Sequence, residues 1–150
     1  NKSVFKAELQ KIFDYESELF EGWPKTRREA AERWSRAFNE YAKKVVPKST
    51  SYSAAKNAFE NRFMMIGDNN GIEQFQLCFF DYAVALAPGM LPTYASTPPS
   101  IPPILKPVFN IGYSGGSSEQ CINKLVDIVD TWMRTGRAKH TTHHTVVPWS

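Results

Sequence analysis

The apolar and polar positions along the chain alternate in a way that predicts about five helices. Phe5, Leu9, Ile12 and Phe13 recur at the spacing of a helix with one buried face. The pattern fades through Leu19 and Phe20 until Gly22-Trp23-Pro24 breaks it. Thr26 and Glu29 then stand in capping-box spacing. Ala30, Trp34, Ala37, Phe38, Tyr41 and Val45 form the stripe of a second helix, which Pro47 ends. After the Lys48-Ser49-Thr50-Ser51 turn, a third helix capped by Ser51 or Ser53 carries Ala55, Ala58, Phe59, Arg62, Phe63 and Ile66 on one face. Gly67 and Asp68-Asn69-Asn70-Gly71 supply its stop through turn chemistry. The fourth helix, from about Ile72 to Ala87, is apolar nearly all round and is expected at the centre, with Pro88-Gly89 as its terminator.

From Met90 to Gly116 the pattern is lost. Pro92, Pro98, Pro99, Pro102, Pro103 and Pro107 oppose helix interiors and central strands. Yet Ile101, Ile104, Leu105, Val108 and Phe109 are apolar, which a free linker would not need, so this irregular segment is expected to press against its own helices or a neighbour. Gly115 and Gly116 read as a flexible lead into a fifth helix. Ser117 and Gln120 form its capping box, and Ile122, Leu125, Val126, Ile128, Val129 and Trp132 its stripe. Gly136 suits the left-handed position just past its end.

Residues 137–150 are polar and β-prone (Thr141, Thr142, Thr145, Val146, Val147) and read as an extended C-terminal arm. Trp149 is costly to leave in water, so the arm is expected to dock, with another subunit as a candidate surface. The fold expected is mainly α: a compact helical domain over 1–136, with the Pro-rich segment at 88–116, followed by the arm. Trp34, Phe38, Phe59, Phe63, Phe79, Phe80, Leu125 and Trp132 are expected in the core.

Composition narrows the function. With 150 residues, 42% hydrophobic and 22% charged, the chain matches one globular domain. Eighteen basic and 15 acidic residues leave a net +3, too balanced to imply nucleic acid on charge alone. Lys43, Lys44 and Lys48 beside Tyr41 and Tyr52 are only a faint nucleic-acid pattern, and Lys25-Thr26-Arg27-Arg28 reads as a solvated helix face. Cys78 and Cys121 fall in apolar helical patterns and read as small hydrophobes in a reducing compartment. Phe75 to Pro88, the longest apolar stretch, is short of the roughly 20 residues a membrane span needs. No apolar signal region opens the sequence, so a soluble chain without a membrane partner is expected.

The chemistry-bearing residues form no catalytic fingerprint. His140, His143 and His144 lie together, but the arm has no carboxylate or thiol to complete a zinc site, so polar arm residues are the reading. Gly112-Tyr113-Ser114-Gly115-Gly116 matches neither phosphate-binding glycine pattern; its letters do read Gly-x-Ser-x-Gly, but no strand pattern precedes Ser114, so a flexible entry to a helix is expected and not a nucleophile elbow. Asp127 and Asp130 are spaced for a carboxylate pair, though Lys124 is placed to pair with Asp127. Asp81 on a buried helix needs a partner, and Arg62 is the candidate for an architectural ion pair. The reading is a protein-binding chain, not an enzyme, without catalytic residues, cofactor, metal or small-molecule ligand. Its expected interface is Pro98, Pro99, Ile101, Pro102, Pro103, Ile104 and Leu105, with Val146, Val147 and Trp149 from the arm.

The run Ala30-Ala31-Glu32-Arg33-Trp34 through Tyr41, Pro47 and its Ser/Thr turn resembles small virion structural proteins of tailed bacteriophages. So do the alanine-rich helix Ala54 to Phe63, Ala87-Pro88-Gly89-Met90 before the Pro-rich segment, and Trp132-Met133-Arg134-Thr135-Gly136 before the Thr/Val arm. The resemblance implies a capsid, neck, tail or baseplate subunit, present in symmetric copies and bound to other virion proteins or to itself. It carries over no catalytic residue. A cytoplasmic helical adaptor or regulatory protein-binding domain is the alternative with the same texture.

Overall fold

The apolar spacing turns into helices where the sequence places it, with cap chemistry setting the ends. In the computed structural model, residues 1–13 and 24–150 are described. The expected fading at Leu19 and Phe20 and the break at Gly22-Trp23 lie outside the described residues. Helix α1 (Lys2–Ile12) is opened by Asn1, whose side chain accepts from the Ser3 N–H, and buries Phe5, Leu9 and Ile12. Helix α2 (Arg27–Ala42) has Thr26 as its cap, with Oγ1 accepting from the Glu29 N–H at 3.1 Å. Glu29 reaches the Lys25 N–H at 2.9 Å rather than that of Thr26, so the reciprocal half of the box closes one residue early.

Helix α3 (Tyr52–Phe63) begins after Ser51, but no side chain caps it. Of the two serines expected there, Ser53 lies within the helix, and Ser51 joins Ser49 in serving another helix. Ser49 Oγ donates to the Leu86 carbonyl at 2.8 Å and Ser51 Oγ to the Ala85 carbonyl at 2.8 Å. They thereby satisfy carbonyls left free at the end of α4 (Gly71–Leu86). Pro88-Gly89 does not stop the chain at once; α4 tightens into a 3-10 turn over Ala87–Met90. Helices α3 and α4 lie side by side, and α1 packs on α2 and on the last helix.

The core between them is aromatic. Phe38 meets Phe79 edge-on at 4.9 Å and Tyr82 at 4.7 Å, and Phe59 meets Phe79 at 5.2 Å, the arrangement that ring quadrupoles favour. Phe38, Phe59, Phe79, Leu125 and Trp132 are buried as expected, while Trp34, Phe63 and Phe80 pack at the core's margin. Two buried hydroxyls find partners across helices: Tyr82 donates to Asn39 Oδ1 at 2.7 Å and Tyr41 to Asp130 Oδ1 at 2.8 Å.

The Pro-rich segment is more regular than its prolines suggest. It contains strand β1 (Tyr94–Thr97) and a further helix, α5 (Lys106–Tyr113). Pro107 sits in the first turn of α5, where its missing N–H costs nothing. Gly115, at φ +83°, ends α5: its N–H bonds the Gly112 carbonyl and the Gly116 N–H bonds the Ile111 carbonyl at 2.8 Å. That is a left-handed helix stop, not the flexible lead expected. Helix α6 (Ser118–Met133) then starts with the predicted box, Ser117 and Gln120 each satisfying the other's backbone. Six α-helices are therefore present among the described residues, one more than the periodicity predicts.

The expected C-terminal arm folds back instead of extending. Strands β2 (Arg137–His140) and β3 (Val146–Pro148) join β1 in an antiparallel sheet of order β1-β2-β3. The register sets Ser96 opposite Ala138 and Ala138 opposite Val147 on the inner face. Trp149 lies under this sheet, fully buried, with Nε1 donating to Ser96 Oγ at 2.7 Å. Gly136 matters here for space and not for a left-handed backbone. A Cβ on it would stand 2.4 Å from the Trp149 ring, closer than atoms can pack.

Candidate protein-binding surface

Residues 98–105 form a strap across the outer side of α6. The strap is held at both ends and in the middle. Pro99, Pro103 and Leu105 are buried, the Leu105 N–H donates to Gln76 Oε1 at 2.8 Å, and Trp132 Nε1 donates to the Ile101 carbonyl at 2.6 Å. Proline locks its own φ, so few backbone states compete with this path. Between these anchors Ile101 and Ile104 point outward, 61% and 65% exposed. With Pro102, Ile128, Thr131, Trp132 and Thr135 they border a shallow groove of about 420 Å³ whose walls are mostly apolar.

The ten residues expected at an interface therefore separate. Ile101, Ile104 and Val146 are exposed; Pro98, Pro102 and Val147 are half-buried; Pro99, Pro103, Leu105 and Trp149 are covered by their own chain. The strap and the C-terminal residues do not form one surface either, because Val146 lies on the outer face of the sheet beside Lys139. Sequence reasoning missed the anchors Gln76 and Trp132. Each had a signal: Gln76 is a polar interruption of an apolar helix, and a buried indole N–H needs an acceptor.

The titratable groups are arranged for architecture. Arg62 and Asp81 pair at 2.8 Å as expected, each side chain about a quarter exposed. Asp127 pairs with Lys2 at 3.1 Å instead of Lys124, while Asp130 points inward to Tyr41 and to Arg134 at 3.1 Å, so the two aspartates do not face a common centre. Burial pushes the Cys78 thiol up to about 12 and, with the Asp130 bond, lifts Tyr41 far above its ordinary range. Burial also raises Tyr82. The backbone hydrogen bond from Lys25 holds Glu29 below its usual carboxylate value. His140 Nδ1 accepts the Thr142 and His143 N–H groups at 3.2 and 3.0 Å, fastening the β2–β3 turn. No group of three metal-ligating side chains occurs among the described residues, and no helix there is long and apolar enough to cross a membrane.

A second hollow, of about 390 Å³, opens beneath α5 between Phe13, Trp34, Phe75, Phe109 and Leu125. Its walls are almost wholly apolar, and Cys121, whose Sγ faces the Val108 carbonyl at 3.9 Å, is the ionisable group there besides Tyr113.

These features define a mainly α-helical domain with a small antiparallel sheet and an anchored apolar ridge on its surface. Compared with protein families, curated proteins and solved structures, the chain matches none.

Proposed function

We propose that this chain is a structural subunit that binds neighbouring proteins through the strap and the groove beside it, of the kind found in tailed-phage virions. Ile101 and Ile104 carry the reading. Two large aliphatic side chains stand in water on a backbone anchored by the buried Pro99, Pro103 and Leu105, so the ridge is held ready and pays little ordering entropy on binding. Contiguous apolar surface rimmed by polar groups marks protein contacts more than solvation does. Thr131, Thr135 and Asp127 provide such a rim here. The phage assignment rests on the sequence resemblance; the contact surface rests on the geometry of the strap.

Assembly is the test. Particles from the source culture, separated on a density gradient, should contain this chain at a fixed ratio to the other proteins of the particle. The double variant Ile101→Ser/Ile104→Ser should stay out of the particle fraction while melting like the wild type. If the wild-type chain is missing from every particle fraction, the virion reading fails. If the double variant enters particles normally, the strap is not the gripping face.

A further inference from the structure

The near balance of charge along the sequence conceals a segregation in space. Strands β2 and β3 place Arg137 and Lys139 on the exposed face of the sheet, beside Ala95, Thr97, Val146 and Pro148. The chain end carries this face on to the loop after α2: the Val46 N–H bonds the Ser150 carbonyl at 2.9 Å and the Ser150 N–H returns to the Val46 carbonyl at 3.1 Å. Lys44 and Lys48 flank Val46 on either side. This end of the molecule thus gathers Lys43, Lys44, Lys48, Arg134, Arg137 and Lys139, six basic side chains against the two acidic ones of Glu40 and Asp130. Twelve basic and thirteen acidic residues make up the rest of the chain.

Four of the six have no carboxylate partner among the described residues. Glu40 pairs with Lys43 and Asp130 with Arg134. Lys48 instead donates to the Lys43 carbonyl. Arg137 is steadied by its own backbone, Nη1 donating to the Arg134 and Gly136 carbonyls at 2.7 and 3.0 Å, which leaves its remaining donors outward.

We infer that this basic sheet end is a binding surface for the phosphate backbone of nucleic acid, a function separate from the strap. An acidic protein fits the face less well. Lysine is depleted from protein–protein interfaces, and the face offers no aromatic anchor of the kind that carries their energy. As point charges, lysines suit phosphates, and an arginine among them adds a forked donor. Arg137 and Lys139 are two residues apart on one side of a strand, about 6.6 Å along it. That makes a row a charged backbone can follow without base recognition. The sequence-level expectation against nucleic acid rested on net charge, which averages this face with the balanced remainder.

Fluorescence anisotropy with a labelled mixed-sequence duplex of about 20 base pairs, titrated from about 50 mM salt upward, tests the inference. The double variant Arg137→Glu/Lys139→Glu should bind more than about tenfold more weakly and flatten the salt slope by about two. The variant Lys106→Glu/Lys124→Glu makes the same change in net charge away from the sheet and should lose much less. Both pairs are exposed, and Arg137→Gln/Lys139→Gln supplies a milder form should charge reversal disturb the fold. Equal losses in the two glutamate variants would reduce the effect to net charge and overturn the site. So would absence of wild-type binding at the lowest salt, or displacement of the duplex by poly-glutamate at matched charge. Because Ile101 and Ile104 lie elsewhere, failure here leaves the strap reading untouched, and the converse also holds.

Discussion

The strap at 98–105 and the C-terminal segment at 146–150 share a composition: both are short, bear proline and large apolar side chains, and lie outside any helix. In the strap, Ile101 and Ile104 face water while Pro99, Pro103 and Leu105 turn inward. In the C-terminal segment, Val146 is exposed and the largest side chain, Trp149, is buried. The difference follows from the backbone. The C-terminal segment meets β2, whose N–H and C=O groups are free to pair, and the pairing carries Trp149 under the sheet, where the Trp149 N–H also bonds the Gly136 carbonyl at 3.0 Å. The strap's prolines cannot donate to a ladder, so it is held by side-chain anchors that fix its path and leave Ile101 and Ile104 outward. Apolar composition alone does not distinguish a residue meant for a partner from one meant for its own core; what the neighbouring backbone offers does.

Trp149→Ala is the severest test of that distinction. Removing a fully buried indole should cost about 3–5 kcal/mol of unfolding free energy, read from denaturant midpoints. A change below about 1 kcal/mol would return Trp149 to the role of an external anchor. For the same reason, truncation at Gly136 tests folding and not association, since it removes two of the three strands.

Next in size is the strap's anchoring. Gln76→Ala leaves the buried Leu105 N–H without its acceptor, which should cost about 1–3 kcal/mol. Hydrogen exchange should then rise at Leu105 and its neighbours before it rises in α3. Uniform acceleration across the chain would mean the strap is not a separately held unit. Smaller again is Ile101→Ser/Ile104→Ser. Exposed side chains away from packing shift stability by no more than about 0.5 kcal/mol, so its thermal midpoint should match the wild type while association is lost.

How much of this could be read from the sequence depended on the range of the interactions involved. Stripes, the Thr26 cap and the Ser117–Gln120 box are local, and α2, α4 and α6 lie close to their expected ranges, while α1 carries the Phe5, Leu9 and Ile12 stripe expected of it. The Arg62–Asp81 pair was legible because a carboxylate on an apolar helix demands a partner within reach. Helix α5 is hidden in the sequence because a proline such as Pro107 breaks a helix everywhere but in its first turn, and Gly115 reads as slack where it is in fact a stop. The sheet was hidden for a different reason. Strands of three and four residues carry little periodic signal, and β1 pairs with a strand some forty residues later. Trp149 was correctly expected to need cover, but where it finds cover is a fact of that long-range pairing. The exposed strap residues were legible only as apolar letters, since exposure is decided by Trp132 and Gln76 from two other helices.

Glu29 offers the smallest effect, and it serves as a reference far from both segments. Its carboxylate accepts from the Lys25 N–H at 2.9 Å and from Arg33 at 2.7 Å, and it titrates below its ordinary value of 4.5 because those bonds favour the charged form. A carboxylate with a lowered folded value lends stability that is fully present above the unfolded value and is lost as pH falls through the folded one. The start of α2 should therefore loosen as pH drops below about 4.5, seen as a shift of the Lys25 amide resonance, while the amides of Leu105 and Trp149 hold their positions. Glu29→Ala, which removes the acceptor altogether, should bring that loosening to neutral pH without altering the order of the larger effects. If the Lys25 amide is indifferent to acid, the early-closing cap is absent in solution. If instead Trp149 shifts with it, the two ends of the molecule are coupled and cannot be perturbed one at a time.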